Sequence, residues 1–199
     1  MRRLKLQVQV TVDGFIAGPS GEMDWMIWDW DEELKRFVNG LTEPIDCIVL
    51  GRVLAQGFIP TWQSRAEDKD TADAFSHKMV NTQKVVFTKT MQKLSEWKNT
   101  VVANGDLVEE IKNLKAQPGS DIIAYGGGTF VSSLIEHNLI DEYHLFINPV
   151  AIGGGMPIFT QIKEKLKLKL INATSFPCGI ALLSFKPNDD DQEALIKNE

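Results

Sequence analysis

The chain has 199 residues, of which 43% are hydrophobic and 24% are charged, and its formal net charge is -6 at pH 7. This length suits one large domain, which buries about 70% of its unfolded surface without disulfides or metals. The chain has no long basic run of the kind that nucleic-acid binding requires. It also has no apolar run near the roughly 20 residues of a membrane span and no signal-peptide core. We therefore expect a cytoplasmic protein with no nucleic-acid or membrane partner.

The N-terminal segment predicts a strand and a turn. Residues 4–12 alternate between apolar and polar side chains, which is the period of a strand with one buried face. Asp13 and Gly14 mark a turn, and a short apolar piece at residues 15–17 follows before a loop.

Three tryptophans precede the first predicted helix. Trp25, Trp28 and Trp30 fall within six residues, and Asp29 or Asp31 can cap a helix that closes before residue 44. The tryptophans either close over a flat heterocycle or pack in the core. Both interpretations of the tryptophans are consistent with the sequence.

Strands and helices then alternate along the chain. Short apolar runs at residues 45–50, 84–88, 100–103 and 121–125 predict strands, and residues 53–56, 107–115 and 129–137 predict helices. The polar segment 63–73 is expected at the surface. This order predicts an α/β sheet that is covered by helices on both faces.

The C-terminal third predicts strands alone. Residues 141–149 alternate as a strand, and residues 165–174 and 179–185 predict a closing antiparallel pair. We expect a single domain over residues 1–187. Residues 188–199 are acidic and predict a flexible tail.

The strongest candidate site is a glycine turn between a strand and a helix. Gly126, Gly127 and Gly128 follow a buried strand, and Thr129 opens the next helix. Glycine lets backbone N–H groups approach a ligand, and a helix N-terminus favours negative charge. The turn predicts either a pyrophosphate site or a bend that serves only packing.

Two further strand ends carry suitable side chains. Gly51 and Arg52 follow the second buried strand, and Thr88 and Lys89 follow the third. A guanidinium is well matched to phosphate. Because the carboxyl ends of parallel strands meet at one edge of a sheet, these residues are expected to converge with the glycine turn.

The cysteines and histidines predict no further chemistry. Cys47 and Cys178 have neither a CxxC partner nor a metal-type spacing, so we expect a buried apolar residue and a turn thiol. His77, His137 and His144 are scattered, so they are expected at the surface or in packing. No metal site is predicted.

Five short segments, in order, resemble the dihydrofolate reductase-like superfamily. Within it, the chain is most similar to the reductase domain of bacterial riboflavin biosynthesis, the RibD C-terminal domain, and to its small stand-alone relatives. The resemblance spans roughly residues 4 to 186. The matching segments are Val12-Asp13-Gly14-Phe15-Ile16-Ala17, Val49-Leu50-Gly51-Arg52, Val86-Phe87-Thr88, Tyr125-Gly126-Gly127-Gly128, and the run from Pro149 through Gly153-Gly154-Gly155 and Pro157 to Phe159.

The resemblance implies a three-layer α/β/α fold with a mostly parallel mixed sheet and an antiparallel C-terminal edge. It also implies NADPH as the hydride donor. By position, the glycine turn and Thr129 would meet the pyrophosphate, Gly51 would lie beside the phosphates, and Arg52 would lie near the 2′-phosphate. Thr88 and Lys89 would lie near the adenosine end. Ile16 and Ala17 would flank the nicotinamide, with the second glycine cluster on the substrate side.

The chain departs from the family pattern at two places. Leu54 stands where the family often has a threonine, which removes one phosphate or substrate contact. In dihydrofolate reductases, a carboxylate on the first helix binds the pterin. The nearest equivalents here are Asp31, Glu32 and Glu33, and the spacing to Phe37 favours Glu33. We predict Glu33 and Asp31 as catalytic carboxylates, although these acids also suit a solvated first turn that complements the helix dipole.

These features predict an NADPH-dependent reductase of a small heterocycle. Its substrate resembles that of 5-amino-6-(5-phosphoribosylamino)uracil reductase or, alternatively, a dihydrofolate. Two alternative hypotheses are a non-catalytic NADP-binding protein and a structural domain with an empty cleft. The strand-only C-terminal part would leave a sheet edge, so we expect a homodimer.

Overall fold

The computed structural model describes residues 1–90 and 97–188 of the chain. Ten strands and five helices follow one another in this part. Within these residues, no helix is both long and apolar enough to cross a membrane. Of the predicted acidic tail, residues 188–199, only residue 188 belongs to the described part of the chain.

Eight of the strands form one mixed sheet, in the order β5-β4-β3-β6-β1-β7-β10-β9, and β2 pairs with β8 in a separate two-stranded sheet. The pairs from β5 to β7 are parallel, and β10 runs antiparallel to both β7 and β9. The strands are β1 (Leu4–Thr11), β2 (Phe15–Ala17), β3 (Ile45–Gly51), β4 (Gln83–Phe87), β5 (Thr100–Ala103), β6 (Asp121–Ala124), β7 (Glu142–Asn148), β8 (Met156–Pro157), β9 (Leu168–Ser175) and β10 (Ala181–Pro187).

Helices cover both faces of the large sheet. The helices are α1 (Glu32–Thr42), α2 (Arg52–Glu67), α3 (Ala74–Asn81), α4 (Leu107–Ala116) and α5 (Gly128–Glu136). Apolar side chains of α4 and α5 pack into one core with alternate residues of β1, β3 and β6. The other helices pack against the opposite face. The predicted three-layer α/β/α class, with its antiparallel C-terminal edge, is confirmed.

The central strands are buried because both of their faces are covered. Ile48, Val49 and Leu50 of β3 are fully inaccessible, as are Ile122 and Ile123 of β6. A continuous apolar run is typical of a parallel strand between two helical layers. This is why these strands were predictable from sequence.

Three of the helices begin at an aspartate cap. The side chains of Asp31, Asp73 and Asp106 accept backbone N–H groups at the starts of α1, α3 and α4. Such a cap satisfies N–H groups that have no partner within the helix. The remaining two helices, α2 and α5, begin differently, and their starts form the candidate site.

Candidate active site

The candidate site lies at the edge of the sheet where the parallel strands end. Because β1, β3, β4 and β6 are parallel neighbours or near neighbours, their last residues Thr11, Gly51, Phe87 and Ala124 lie along one edge. Both predicted strand-to-helix junctions, at Gly51 and at the glycine turn, therefore lie on this edge. The sequence prediction of convergence agrees with this topology.

Phe130 brings the two junctions into contact. A Cβ atom placed on Gly51 would lie 2.7 Å from the Cβ atom of Phe130, on the first turn of α5. The ring of Phe130 also packs against that of Phe87, with 5.2 Å between centroids. A Cβ atom on Gly127 would lie 3.7 Å from the Cβ atom of Leu54. The starts of α2 and α5 are thus packed together.

The glycine turn has a backbone that favours glycine. Gly126 has φ of 80° and Gly127 has φ of 91°. These values lie in the left-handed region, which is costly for residues with a Cβ atom. The turn therefore presents bare backbone at the start of α5.

Neither α2 nor α5 has a side-chain cap. The N-cap residues are Gly51 and Gly127, and neither N-terminus receives a side-chain hydrogen bond. In each helix, the first-turn N–H groups are therefore left for water or a ligand. The helix dipoles add partial positive charge at the same place. Two neighbouring uncapped N-termini are suited to an anion with two phosphates.

The predicted cations differ in their surroundings. Arg52 makes one long hydrogen bond, from Nη1 to Oε1 of Gln56 at 3.4 Å. Within residues 1–90 and 97–188, no carboxylate forms an ion pair with Arg52. The Nζ atom of Lys89 instead donates to the carbonyl oxygens of Asn104 and Gly105, at 3.1 and 2.6 Å. Arg52 can thus accept a phosphate partner more readily than Lys89.

The two predicted hydroxyl residues lie at different junctions. The backbone N–H of Thr88 donates to the carbonyl of Ala103, which keeps Thr88 beside the end of β5. Its hydroxyl accepts the backbone N–H of Thr90 at 3.2 Å. Thr129 lies exposed on the first turn of α5.

The β2–β8 pair forms the opposite wall of the site. Ile16 and Ala17 are buried, and Ala17 pairs with Met156. A Cβ atom on Gly155 would lie 2.3 Å from the carbonyl oxygen of Ala17, so only glycine fits there. Met156 also lies near Gly128, where an added Cβ atom would be 3.9 Å from that of Met156. The two walls therefore meet at the start of α5.

Asp13 holds the second glycine cluster. Its carboxylate accepts the backbone N–H groups of Ile152 and Gly153, at 3.1 and 2.7 Å, and the hydroxyl of Thr11 at 2.6 Å. The hydrogen bond from Thr11 is the main cause of the lowered pKa of Asp13, and the two N–H groups add to it. The sequence had indicated only a turn at Asp13.

Asn148 ties the tryptophan segment to the sheet, and the sequence analysis missed it. This side chain is fully buried at the end of β7. Its Oδ1 accepts the backbone N–H of Ile27 at 2.9 Å, and its Nδ2 donates to Oε1 of Gln9 at 2.8 Å. Its only sequence signal was an asparagine before Pro149.

The tryptophan segment is only partly packed. Trp28 is 67% exposed, whereas Trp25 and Trp30 are half-buried. The indole N–H of Trp30 donates to the carbonyl of Ile27 at 2.8 Å. Trp30 packs against the core under α1, as the core-packing interpretation of the tryptophans predicts. The exposed Trp28 remains available for a ligand.

The two predicted catalytic carboxylates lie at the start of α1. Asp31 accepts the backbone N–H groups of Glu33, Leu34 and Cys178, all within 3.0 Å. These hydrogen bonds, led by that from Leu34, lower the pKa of Asp31 to about 2. Glu33 is exposed. Their catalytic roles stay predictions, and the observed geometry gives Asp31 a capping role.

Both cysteines lie where the sequence predicts them, one in the core and one at a turn. Cys47 is buried, Cys178 is partly buried, and both thiols are free. Burial raises the pKa of Cys47 to about 11. Among residues 1–90 and 97–188, no group of three His, Cys, Asp or Glu side chains could hold a metal ion.

The sheet order, the helical layers and the glycine junctions define a dihydrofolate reductase-like α/β domain. The chain belongs to the RibD C-terminal domain family, whose sequence pattern matches residues 2–182. The uncharacterized protein YyaP of Bacillus subtilis (strain 168) is 35% identical over 190 residues, which cover 94% of this chain and 96% of YyaP. A second B. subtilis protein, YwjB, is 24% identical over 181 residues, 91% of this chain and 96% of YwjB.

Solved structures share the fold at low identity. A candidate riboflavin biosynthesis protein of Shewanella sp. PV-4 has a TM-score of 0.71 at 22% identity, covering 94% of this chain and 99% of that one. The deaminase/5-amino-6-(5-phosphoribosylamino)uracil reductase of Thermotoga maritima has a TM-score of 0.65 at 20% identity, and the match covers 94% of this chain and 57% of that one. Dihydrofolate reductase of Enterococcus faecalis, in complex with NADP(H), has a TM-score of 0.61 at 16% identity. The match covers 94% of this chain and 97% of that one.

Proposed function

We propose that this chain is an NADPH-dependent reductase of a small heterocycle. The observation that carries the proposal is the contact between two helix starts that lack side-chain caps, at Gly51 and Gly127. Family membership adds support, since two of the similar solved structures are reductases by name. A pyrophosphate is the ligand that both helix starts could bind at once.

The residues present fit NADPH. The first-turn N–H groups of α2 and α5, with the Thr129 hydroxyl, would hold the pyrophosphate. The guanidinium of Arg52, which has no carboxylate partner in the described part of the chain, would bind the 2′-phosphate. Thr88 and Lys89 would border the adenosine end. Ile16 and Ala17 would form an apolar support for the nicotinamide. When bound, the cofactor supplies the hydride, and the protein supplies orientation and electrostatics.

The proton that accompanies the hydride would come from water. Asp31 has a pKa of about 2, so it is ionised at neutral pH and cannot donate a proton. Glu33 lies exposed on α1, where water competes for any ligand contact. An ordered water beside the substrate would serve as the general acid.

A dihydrofolate-type activity is less well supported. A pterin requires a buried carboxylate on the first helix. In α1, which the structure describes throughout, Glu32 and Glu33 are exposed and Asp31 is engaged as the cap. A non-catalytic NADP-binding protein remains the second candidate, because Leu54 replaces a hydroxyl residue at the start of α2.

Titration with NADPH and NADH tests the cofactor proposal. We expect wild-type protein to prefer NADPH, and Arg52→Gln to weaken NADPH binding about tenfold to a hundredfold while leaving NADH binding unchanged, since one charged phosphate contact is lost. Lys112→Gln, an exposed lysine on α4, is the control. A preference for NADH would contradict the role of Arg52.

Turnover separates the two candidate functions. Conversion of NADPH to NADP+ is followed by chromatography with a panel of pyrimidine, pterin and flavin compounds, because pterins and flavins absorb in the same spectral region as NADPH. Oxidation of NADPH with one of them would support the reductase. Tight NADPH binding without oxidation across the panel would favour the non-catalytic protein.

A further inference from the structure

Two segments enclose the side of the site that faces away from the phosphates. Residues 12–34 lead from the end of β1 through β2 to α1, and residues 148–162 lead from the end of β7 through β8. The β2–β8 pairing and the Asp13 and Asn148 side chains join these segments to each other and to the sheet. Given the proposed cofactor position, they form the substrate side.

These two segments contain no cationic side chain. Residues 12–34 and 148–162, all within the described part of the chain, include no lysine, arginine or histidine. They instead carry seven carboxylates, namely Asp13, Glu22, Asp24, Asp29, Asp31, Glu32 and Glu33. The substrate side is therefore acidic.

The cations that border these segments offset only part of this charge. The exposed Arg36 of α1 donates from Nε to the carbonyl oxygen of Glu32. The Nζ atom of Lys35 lies 2.8 Å from Oε1 of Glu32, within its own helix. Lys163 pairs with Glu136 at the far end of α5. Arg52 lies at the cofactor junction. A phosphate on the substrate would thus find no cationic partner in either segment, and the net negative charge of the segments would repel it.

The same segments expose apolar side chains. Val12 is 64% exposed, Trp28 is 67%, Met23 is 44% and Met156 is 38%. Apolar and aromatic surface beside a few polar groups is typical of a site for a flat ring compound. An aromatic ring can stack there without any charged contact.

We propose that the substrate of this site is a flat heterocycle that carries no phosphate group. The inference rests on the proposed function, because it assumes that the two helix starts are occupied by NADPH. A phosphate monoester has a charge of about -1.5 to -2 at neutral pH, and removing it from water without a cationic partner is costly. The site would therefore reject the phosphorylated ribosylaminopyrimidine that the family resemblance suggests.

Matched pairs of ligands test this proposal. Binding is measured by calorimetry with NADP+ bound, for 5-amino-6-(5-phosphoribosylamino)uracil and its dephosphorylated form, for riboflavin and its 5′-phosphate, and for neopterin and its phosphate. We expect at least one unphosphorylated member to bind, and its phosphate to bind about tenfold more weakly or worse. Added salt should reduce the difference in affinity between the two members of a pair, because salt screens exposed charges.

A pair of neutralising substitutions tests the cause. In the double variant Asp24→Asn/Asp29→Asn, two repulsive charges are removed. The ratio of the dissociation constant of the phosphorylated ligand to that of the unphosphorylated ligand should therefore fall about fivefold. Asp70→Asn, a distant exposed carboxylate, should leave the ratio at its wild-type value. Tighter binding of a phosphorylated member, or no binding by any unphosphorylated one, would overturn the proposal. NADPH binding is measured separately, so a failure of the proposed function would be recognised independently.

Discussion

Gly51 is a position where one added methyl group would separate the two helix starts. The Phe130 Cβ atom, 2.7 Å from the added group, is fixed to the backbone of α5 and cannot rotate away. We expect Gly51→Ala to lower the unfolding free energy by about 1–3 kcal/mol and to weaken NADPH binding, because overpacking displaces α5.

Gly57→Ala is the matched control for Gly51→Ala. Gly57 lies within α2, and an added Cβ atom there meets nothing within 4 Å. We expect a gain of about 0.5–1 kcal/mol, because alanine favours the helix. Urea unfolding and NADPH titration check both variants. Equal stability and affinity of the two would contradict the close contact.

Lys84 is buried in an unusual way. Its Nζ atom donates to the carbonyls of Met79, Val80 and Thr82, at 3.0, 2.7 and 2.6 Å, where it closes the end of α3. Burial lowers the pKa of Lys84 from 10.5 to about 8. Between these values, the unfolded chain holds a proton that the folded chain has released, so the contribution of Lys84 to stability rises with pH.

The pH dependence of unfolding tests the state of Lys84. Between pH 8 and about 10.5, the unfolding free energy of wild-type protein should rise by about 1–3 kcal/mol relative to that of Lys84→Met. Lys112→Met, which removes an exposed lysine, should show no such trend relative to wild type. A constant difference between wild type and Lys84→Met would contradict the lowered pKa.

At the scale of residues, sequence indicated the backbone of the site better than its side-chain contacts. The glycines and Arg52 were predictable because they directly follow apolar strands. Phe130 and Asn148 were not, because their roles depend on partners that are distant in sequence. The backbone N–H that Asn148 accepts comes from a residue 121 positions away. No local pattern encodes such a contact.

At the scale of elements, Asn148 controls how firmly the tryptophan segment is held. In Asn148→Ala, the partly buried N–H of Ile27 loses its acceptor, which costs about 1–3 kcal/mol. We expect acrylamide to quench tryptophan fluorescence more strongly, while NADPH affinity stays near wild type. Gln9→Ala removes one partner of the Asn148 amide group but leaves the contact of Oδ1 with Ile27, so it should retain most of the protection. Equal quenching in wild type and Asn148→Ala would contradict the tether.

The sequence predicted the strands more completely than the helices. The helix α3 was missed: residues 74–81 fall beyond the polar segment that was assigned only to the surface. Its capping box pairs Asp73 with Ser76 in place of the usual Glu or Gln. The helix α2 extends through Pro60 to Glu67, further than its first residues suggested. Tertiary packing of Ile59 and Trp62 against the sheet sustains it.

At the scale of the whole molecule, the edge strand β9 presents apolar side chains. Leu170 is 51% exposed and Ile171 is 47% exposed. An uncovered edge of this kind promotes pairing with another chain. We expect a homodimer through β9, as predicted from the sequence, and Ile171→Lys should convert it to a monomer.

The opposite edge strand, β5, supplies the control for the dimer prediction. Val101 is 49% exposed there, so Val101→Lys adds the same charge at the same exposure. It should leave the dimer intact. Light scattering after size-exclusion chromatography measures the mass of each variant. A monomeric wild-type protein would refute the dimer, and loss of the dimer in Val101→Lys alone would move the interface to β5.

The central position of β1 has a consequence for synthesis of the protein. The neighbours of β1 in the described sheet are β6 and β7, and the residue opposite Leu4 is Ile122. Until β6 has been synthesised, β1 has no neighbour in this sheet. Pairing across such a distance in sequence is slow, and an unpaired apolar strand is prone to aggregation. We therefore expect the need for chaperones during expression to arise mainly from the unpaired strand β1.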